Sequence, residues 1–276
     1  CFMLPGVYQG TKTDGTIYFR SSITHHNKHI SLGSYQSERQ ASQSYREACL
    51  ILFDYHYTLD YDYSTFILLF DKIITLLNFR DNQIYIKSPI YLRKNYFQYF
   101  YSPTIDFKFD NDDLFYFSSK KIMKRKNHLF VADYGMQVSI LSRYGIKNYA
   151  VKNKDYRFSN NDETDFRRAN IIILSRYNGV TAIAISSGMF NYKAYIHLNG
   201  NFNLGIFVHE DAAGIAYNKA IDLALQHGVN KNFTVNFIDT LTPKEYARYY
   251  TEIKLPKPFL QYLQINYPLK DSLQHQ

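Results

Sequence analysis

The chain reads LGSYQSERQASQSYREA over residues 32–48 and LGIFVHEDAAGIAYNKA over residues 204–220. The two stretches align without a gap and share Leu-Gly, an aromatic residue, a glutamate, an alanine, a tyrosine and a final alanine. A Gly-Val pair precedes each stretch, at Gly6-Val7 and at Gly179-Val180. The sequence therefore predicts one small structural module that occurs twice.

The second copy predicts strands followed by one helix. Residues 192–198 alternate apolar and polar side chains, which is the period of a half-buried strand. Asn199-Gly200 predicts a type I′ hairpin turn, in which both residues take positive φ, and a second strand then runs from Phe202 to Phe207. After Glu210, alanines and apolar residues recur at helical spacing. We expect a three-stranded antiparallel sheet with a helix on one side and a free face on the other.

This pattern resembles the APETALA and ethylene-response-factor type of DNA-binding domain. The second copy carries the resemblance through residues 177–180, residues 193–197, Asn199-Gly200, residues 204–207, Glu210, Ala212-Ala213 and residues 216–220, and it closes on Asn236-Phe237. The first copy keeps Gly6-Val7, Leu32-Gly33-Ser34-Tyr35, Glu38, Ala41, Tyr45 and Ala48. The resemblance implies that the free face of each sheet enters the major groove of DNA.

The resemblance also implies which side chains contact DNA, because Arg and Lys suit phosphates and guanine edges. In the second copy these are Lys193, Tyr195 and His197, flanked by Arg176 and Asn201. In the first copy they are Lys12, Tyr18, Arg20, His25 and Lys28. The alternative for each residue is a place on a sheet face that only meets solvent. The chain contains no Trp, so the base preference of the family does not carry over.

A second resemblance lies between the copies. Residues 161–171, NDETDFRRANI, resemble the Asp-Asn-Arg-Arg-x-Asn-Leu stretch of HNH endonucleases. Aligning Asp165 with the motif retains Asn170 but puts Phe158 at the place of the general-base His and Arg157 at the place of an acidic metal ligand. A phenyl ring cannot accept a proton or hold a metal, so we expect a degenerate scaffold without hydrolysis. A strand-rich spacer is the alternative.

Composition favours a polyanionic partner. The net charge is +8 over 276 residues, and neutralising phosphates releases counterions. The densest basic patch, residues 120–126, predicts either a phosphate contact or a solvated hairpin end. Two cysteines are too few for a disulfide framework, and His25, His26 and His29 lack the surrounding pattern of a metal site. We expect no metal and no cofactor.

The sequence predicts an α+β chain of five parts. These are a first DNA-binding-like module over residues 1–57, a helix and linker over 58–106, the HNH-like segment over 107–175, a second module over 176–240, and a C-terminal helix and tail over 241–276. Residues 66–79 predict an amphipathic helix too short to span a membrane. Thr242 and Pro243 predict the N-cap and first position of the C-terminal helix.

The sequence thus favours a double-stranded DNA-binding protein of the transcription-regulator or mobile-element type, without catalysis. The alternatives are an active HNH-type homing endonuclease and a structural, protein-binding component that kept the fold. A protein partner is a further expectation for the Tyr- and Phe-rich central region, and no membrane partner is expected. No signal peptide is visible, which predicts a cytoplasmic, nucleoid-associated or nuclear protein that is not secreted.

Overall fold

The structure, a computed structural model, describes residues 4–185 and 188–269. These residues form a mixed α+β fold, as the sequence predicts, with small antiparallel sheets of two or three strands. The strands are β1 (Val7–Thr11), β2 (Ile17–His25), β3 (Lys28–Tyr35), β4 (Ile90–Leu92), β5 (Tyr96–Ser102), β6 (Ile105–Asp110), β7 (Ile122–Arg125), β8 (His128–Asp133), β9 (Met136–Ser139), β10 (Tyr156–Phe158), β11 (Ile171–Ile173), β12 (Val180–Ala184), β13 (Phe190–Leu198) and β14 (Gly200–Phe207). The helices are α1 (Glu38–Phe53), α2 (Phe70–Asn82), α3 (Leu114–Phe117), α4 (Glu210–Gln226), α5 (Pro243–Glu252) and α6 (Lys257–Asn266).

The strands pair in sequence order. The sheets are β1-β2-β3, β4-β5-β6, β7-β8-β9, β10-β11 and β12-β13-β14. The chain separates into two compact units, Cys1–Val138 with Asp162–Asn170, and Ser139–Asn161 with Ile171–Gln276. The first unit contains the β1–β3 sheet, which we call the first meander, and the second contains the β12–β14 sheet, which we call the second meander. No helix in the described part of the chain is long and apolar enough to cross a membrane.

The first meander packs one side against α1 and α2. Its inward side chains Ile23, Ile30 and Leu32 are buried in one cluster with apolar residues of both helices. The helix predicted over residues 66–79 begins at Phe70 and ends at Asn82. Its Ile73, Ile74, Leu76 and Leu77 are fully buried in this cluster, so α2 completes the core of the first meander. The other side of the sheet is left without a helix.

The second meander packs one side against α4, α5 and α6. Its inward residues Val180, Ala194, Ile196 and Leu204 share a buried cluster with the alanines of α4 and with Phe259 and Leu263 of α6. Small alanines let a helix lie close to a sheet, as the sequence predicts. Thr242 accepts a hydrogen bond from the Glu245 backbone and caps α5, which confirms the predicted helix start. The sequence did not predict α6.

The repeated Leu-Gly is a β-bulge in both meanders. Ser21 pairs with Gly33 and Ser22 with Ser31, which leaves Leu32 as the extra residue. In the second meander the pairs that flank Leu204 leave it unpaired in the same way. The glycine after each leucine has a φ of 142° or 135°, a region that favours glycine. The bulge bends the strand and turns both leucines into the core.

The repeated Gly-Val and helix tyrosine form one contact. Gly6 and Gly179 have φ values of 72° and 67°, and each lies under the ring of the helix tyrosine, Tyr45 or Tyr217. A Cβ on either glycine would stand 2.0 or 2.1 Å from that ring. The repeated glutamates also act alike, since Glu38 accepts from the backbone N–H of Leu4 and Glu210 from that of Arg176. The two copies therefore share their internal contacts as well as their letters.

The hairpin turn at Asn199-Gly200 differs from the prediction. A type I′ turn needs positive φ at both central residues. At Asn199-Gly200 only the glycine has positive φ, at 121°, and Leu198 pairs directly with Gly200. The type I′ prediction for this turn is therefore wrong. In the first meander His26 and Asn27 have φ values of 43° and 59°, so the type I′ geometry occurs there instead.

The closing Asn-Phe of the second copy has a structural role. Asn236 is buried, and its side chain accepts from the Asn178 backbone N–H and donates to the Asn178 carbonyl, at 2.7 and 3.0 Å. Its backbone N–H donates to Asn218 of α4, and the Asn218 amide donates back to its carbonyl. These bonds tie the extended segment after α4 to the start of the second meander.

Candidate nucleic-acid interface

The first face is the side of the first meander that points away from α1. It is made by alternate residues of the three strands, because side chains on a strand alternate between its two faces. These are Tyr8, Tyr18, Arg20, Ser22, Thr24, His29, Ser31 and Ser34. A shallow depression of about 400 Å³ lies on it, lined by Lys12, Tyr18, Arg20, Ser34, Tyr35 and Gln36.

Three of the first copy's candidate residues come together on this face. Arg20 donates to the Tyr18 hydroxyl at 2.6 Å, and its guanidinium lies 5.3 Å from the centre of the Tyr18 ring. Lys12 borders the same depression. The resulting cluster presents two cations and a phenol ring to solvent, with no carboxylate in its lining.

The structure places His25 and Lys28 elsewhere. His25 packs edge-on against Phe53 and Phe79, with ring centroids 5.8 and 5.2 Å apart. Its predicted place on the free face is wrong, because β2 alternates without a break and His25 lies five positions after Arg20. Burial lowers the pKa of His25. The ammonium of Lys28 lies over the Tyr85 ring, 4.9 Å from its centre.

The second face is the side of the second meander that points away from α4. Lys193, Tyr195 and His197 lie on it together, as the alternation of residues 192–198 predicts. The rest of the face is formed by their neighbours on β12 and β14, together with Asn191 at the start of β13: Thr181, Ile183, Asn191, Asn201, Asn203 and Ile206. Among the described residues that make up the two faces, none is acidic.

The amides of Asn201 and Asn203 on this face are hydrogen-bonded through their oxygens. His197 Nδ1 lies 2.9 Å from Asn201 Oδ1, and since a carbonyl oxygen only accepts, the imidazole donates. Asn203 Oδ1 accepts from the Gly205 backbone N–H at 3.2 Å. The Nδ2 groups of both asparagines therefore remain as donors.

Arg176 does not lie on the second face. Its Nε is 3.3 Å from Glu210 Oε2, and its backbone N–H donates to the other carboxylate oxygen. This pair belongs to the contact that joins each helix start to the short segment before its Gly-Val pair. The charge of Arg176 is therefore already paired within the module.

A cleft of about 700 Å³ lies against the second face. The sheet forms one wall, with Thr181, Ile183, Lys193, Tyr195, Asn201 and Asn203. Residues 147–155 form the opposite wall, through Lys147, Asn148, Tyr149, Val151, Lys154 and Asp155. The two meanders thus differ, because the depression on the first face has no second wall of this kind among its lining residues.

A buried ion pair anchors the segment of residues 147–155. Lys147 Nζ lies 2.8 Å from Asp155 Oδ1, and both side chains are only 7% exposed. The same ammonium donates to the Tyr177 carbonyl at 2.9 Å, to Ser175 Oγ at 3.1 Å and to the Val180 carbonyl. Burial lowers the pKa of Lys147, and the Asp155 carboxylate opposes that shift. The wall is thereby fixed to the start of β12.

The sequence does not predict that residues 147–155 form this wall. Its residues form no periodic pattern and no recognised motif, and Lys147 meets partners 28 to 33 residues further along the chain. The one local signal is Tyr149, which follows Asn148 in a turn closed by the Ala150 N–H and the Lys147 carbonyl. Only the folded chain brings the segment to the sheet.

The two aspartates of the HNH-like stretch are paired with cations. Asp165 accepts from Arg167 through both oxygens, at 2.6 and 2.8 Å, and Asp162 lies 2.9 Å from Lys108 Nζ. Asn170 donates to the Asp165 carbonyl at 2.8 Å. Phe158 is buried in β10, paired with β11. Over residues 4–185 and 188–269, no group of three or more His, Cys, Asp or Glu side chains is placed to hold a metal ion.

Comparisons of the chain with protein-family models, with curated proteins and with solved structures find no match.

Proposed function

We propose that this protein binds double-stranded DNA through the free faces of its two meanders, without catalysing a reaction. One observation carries the proposal: Arg20 and Lys193 occupy the same position in the two copies. Each lies on the middle strand of its sheet, just before the bulge. Its partner on the first strand follows the valine of Gly-Val, and its partner on the third strand follows the glycine of Leu-Gly. A cation retained at one position of a duplicated sheet is what a phosphate or guanine contact needs.

The chemistry around these cations supports a polyanionic partner. Arg20 is held by the Tyr18 hydroxyl rather than by a carboxylate, so its charge is not neutralised within the protein. Lys193 has no ion-pair partner among the described residues. The net charge of +8 acts in the same direction, because it attracts phosphates and releases their counterions.

A second polar pair recurs further along both faces. Thr24 Oγ1 lies 3.5 Å from His29 Nδ1 in the first meander, and His197 pairs with Asn201 at the equivalent place in the second. Such groups suit base edges and phosphate oxygens in the major groove, which is wide enough for a β-ribbon. Two modules in one chain also raise the effective concentration of the second contact once the first has formed.

The test is duplex binding measured by fluorescence anisotropy at low salt with magnesium present. We expect the pair Lys12→Ala with Arg20→Ala, and the pair Lys193→Ala with His197→Ala, each to weaken binding by about tenfold, since one phosphate or base contact contributes roughly 1–3 kcal/mol. The matched control removes two exposed cations of the C-terminal helices, Lys244→Ala with Lys257→Ala. It lowers the net charge without touching a face, so it should change affinity much less.

Three outcomes would contradict the proposal. The wild-type chain could fail to bind duplex, the face variants could bind as well as wild type, or the control pair could lose as much affinity as they do. Gel analysis of the same samples tests the absence of catalysis. Nicked or cleaved duplex would favour the nuclease alternative.

A further inference from the structure

We infer that the cleft on the second face binds one unpaired nucleotide of a nucleic acid. This inference depends on the proposed function, because the DNA held by the two faces would deliver the nucleotide. It adds a site for a base outside the helix: both faces meet paired DNA, and the cleft takes a base at a single-stranded end or an extruded position.

The size of the cleft is the first reason. Its volume of about 700 Å³ lies in the range of small-ligand sites, roughly 300–1,000 Å³. Such a space holds a nucleotide but cannot enclose a duplex.

The donor pattern of the cleft is the second reason. Asn201 and Asn203 use their oxygens internally, so their Nδ2 groups face outward as donors. Lys154 and Lys193 add two ammonium groups without partners among the described residues. The one carboxylate in the lining, Asp155, is occupied by Lys147 and by the Val151 backbone N–H at 2.7 Å. A ligand for this cleft must therefore bring acceptors and negative charge, as a phosphate and the carbonyls of a base do.

Tyr149 is the third reason. It is 91% exposed at the cleft, and its φ of 61° lies in the left-handed region that a bulky side chain rarely adopts. Glycine or asparagine would fit that turn better, so the tyrosine is not there for local stability. An aromatic ring that is held out beside cations is a surface on which a base stacks.

The anchored wall makes the cleft ready before any ligand arrives. Lys147 and Asp155 are both buried and fix residues 147–155 to the start of β12. Since the segment is already ordered, a nucleotide binds without the cost of ordering a loop.

The test compares a blunt duplex with the same duplex carrying a short single-stranded extension, and with the extension strand alone. The adenine analogue 2-aminopurine occupies the first unpaired position, because stacking quenches its fluorescence. We expect the wild-type chain to bind the extended duplex about tenfold more tightly than the blunt one, from the stacking of one base. Quenching should accompany binding.

The chain offers a matched control for Tyr149→Gly. Tyr134 is also an exposed tyrosine with positive φ. It is 97% exposed and its φ is 46°, but it lies between β8 and β9. We expect Tyr149→Gly to abolish the preference for the extension and the quenching while leaving blunt-duplex affinity unchanged, and Tyr134→Gly to behave as wild type. Tyr149→Gly relieves backbone strain, so a loss of binding cannot be ascribed to misfolding.

The outcomes separate the two claims. If the blunt duplex is bound but the extension adds neither affinity nor quenching, the inference is wrong and the proposed function stands. The inference is also wrong if Tyr134→Gly loses as much as Tyr149→Gly. If the blunt duplex is not bound at all, the proposed function fails, and quenching of the single strand alone, lost in Tyr149→Gly, would still support the cleft.

Discussion

The contact between Gly179 and Tyr217 predicts a large effect of one methyl group. In Gly179→Ala the new Cβ would stand 2.1 Å from Tyr217 Cδ2 and 2.5 Å from the backbone oxygen of Tyr195. The ring can shift, but the oxygen belongs to a strand held between two neighbours and cannot. We expect about 1–2 kcal/mol from the left-handed φ of 67° and about 1–3 kcal/mol from overpacking.

The assay is urea unfolding, with the free energy of unfolding taken from the midpoint and slope. Gly228→Ala is the control, because Gly228 has a φ of 82° and nothing within 4 Å of a new Cβ. In that variant the free energy of unfolding should fall only by the cost of the left-handed backbone, about 1 kcal/mol. Gly6→Ala should cost more than Gly228→Ala but less than Gly179→Ala, since the three atoms nearest to its Cβ, the first at 2.0 Å, all belong to the Tyr45 ring.

A double-mutant cycle separates the ring from the backbone oxygen. Gly179→Ala combined with Tyr217→Ala should recover part of the loss, because the ring clash disappears while the clash with Tyr195 remains. The reasoning would be refuted if Gly179→Ala cost no more than Gly228→Ala. In that case the glycine under the tyrosine would not be what joins the helix to the sheet.

Three further changes test other contacts. Lys147→Met should lower the free energy of unfolding by about 3–5 kcal/mol in urea, because it leaves the Asp155 carboxylate buried without its cation; if adding Asp155→Asn restored nothing, the ion pair would not be the cause. The Lys108 ammonium lowers the pKa of Asp162 from 3.8 to about 2, so this carboxylate stabilises the fold above about pH 4 and stops doing so as the pH falls toward 2. Asp162→Asn should therefore cost stability at neutral pH and little at pH 2, and an equal cost at both would contradict the assignment. Asn236→Ala should cost about 2–3 kcal/mol in thermal unfolding, because it leaves buried groups at the start of the second meander without partners; an unchanged midpoint would mean that water replaces the amide.

Local signals in the sequence predicted the parts of the fold that depend on neighbours in the chain. The alternating strand of residues 192–198 and the Thr242 cap each follow from a few adjacent residues. The repeat added the long-range information, since two copies of one pattern predict one tertiary arrangement twice. The meander and its helix were therefore predictable.

The sequence could not predict features that depend on distant contacts. The hairpin at Asn199-Gly200 is closed by strand pairing that overrides the turn preference of its residues. The side of the sheet on which His25 lies is found only when the alternation of β2 is followed residue by residue from Arg20. The wall of the cleft depends on hydrogen bonds from Lys147 to the carbonyls of Tyr177 and Val180, and no local pattern predicts these bonds.

The dependence of duplex affinity on salt tests the central claim most directly. If Lys12, Arg20 and Lys193 each neutralise one phosphate, the logarithm of the binding constant should fall with the logarithm of salt concentration at a slope of about −2.7. Arg20→Ala with Lys193→Ala should reduce the magnitude of that slope by about 2, uniformly across duplex sequences. A slope near zero, or a slope that this pair leaves unchanged, would contradict the account and point to a protein partner instead.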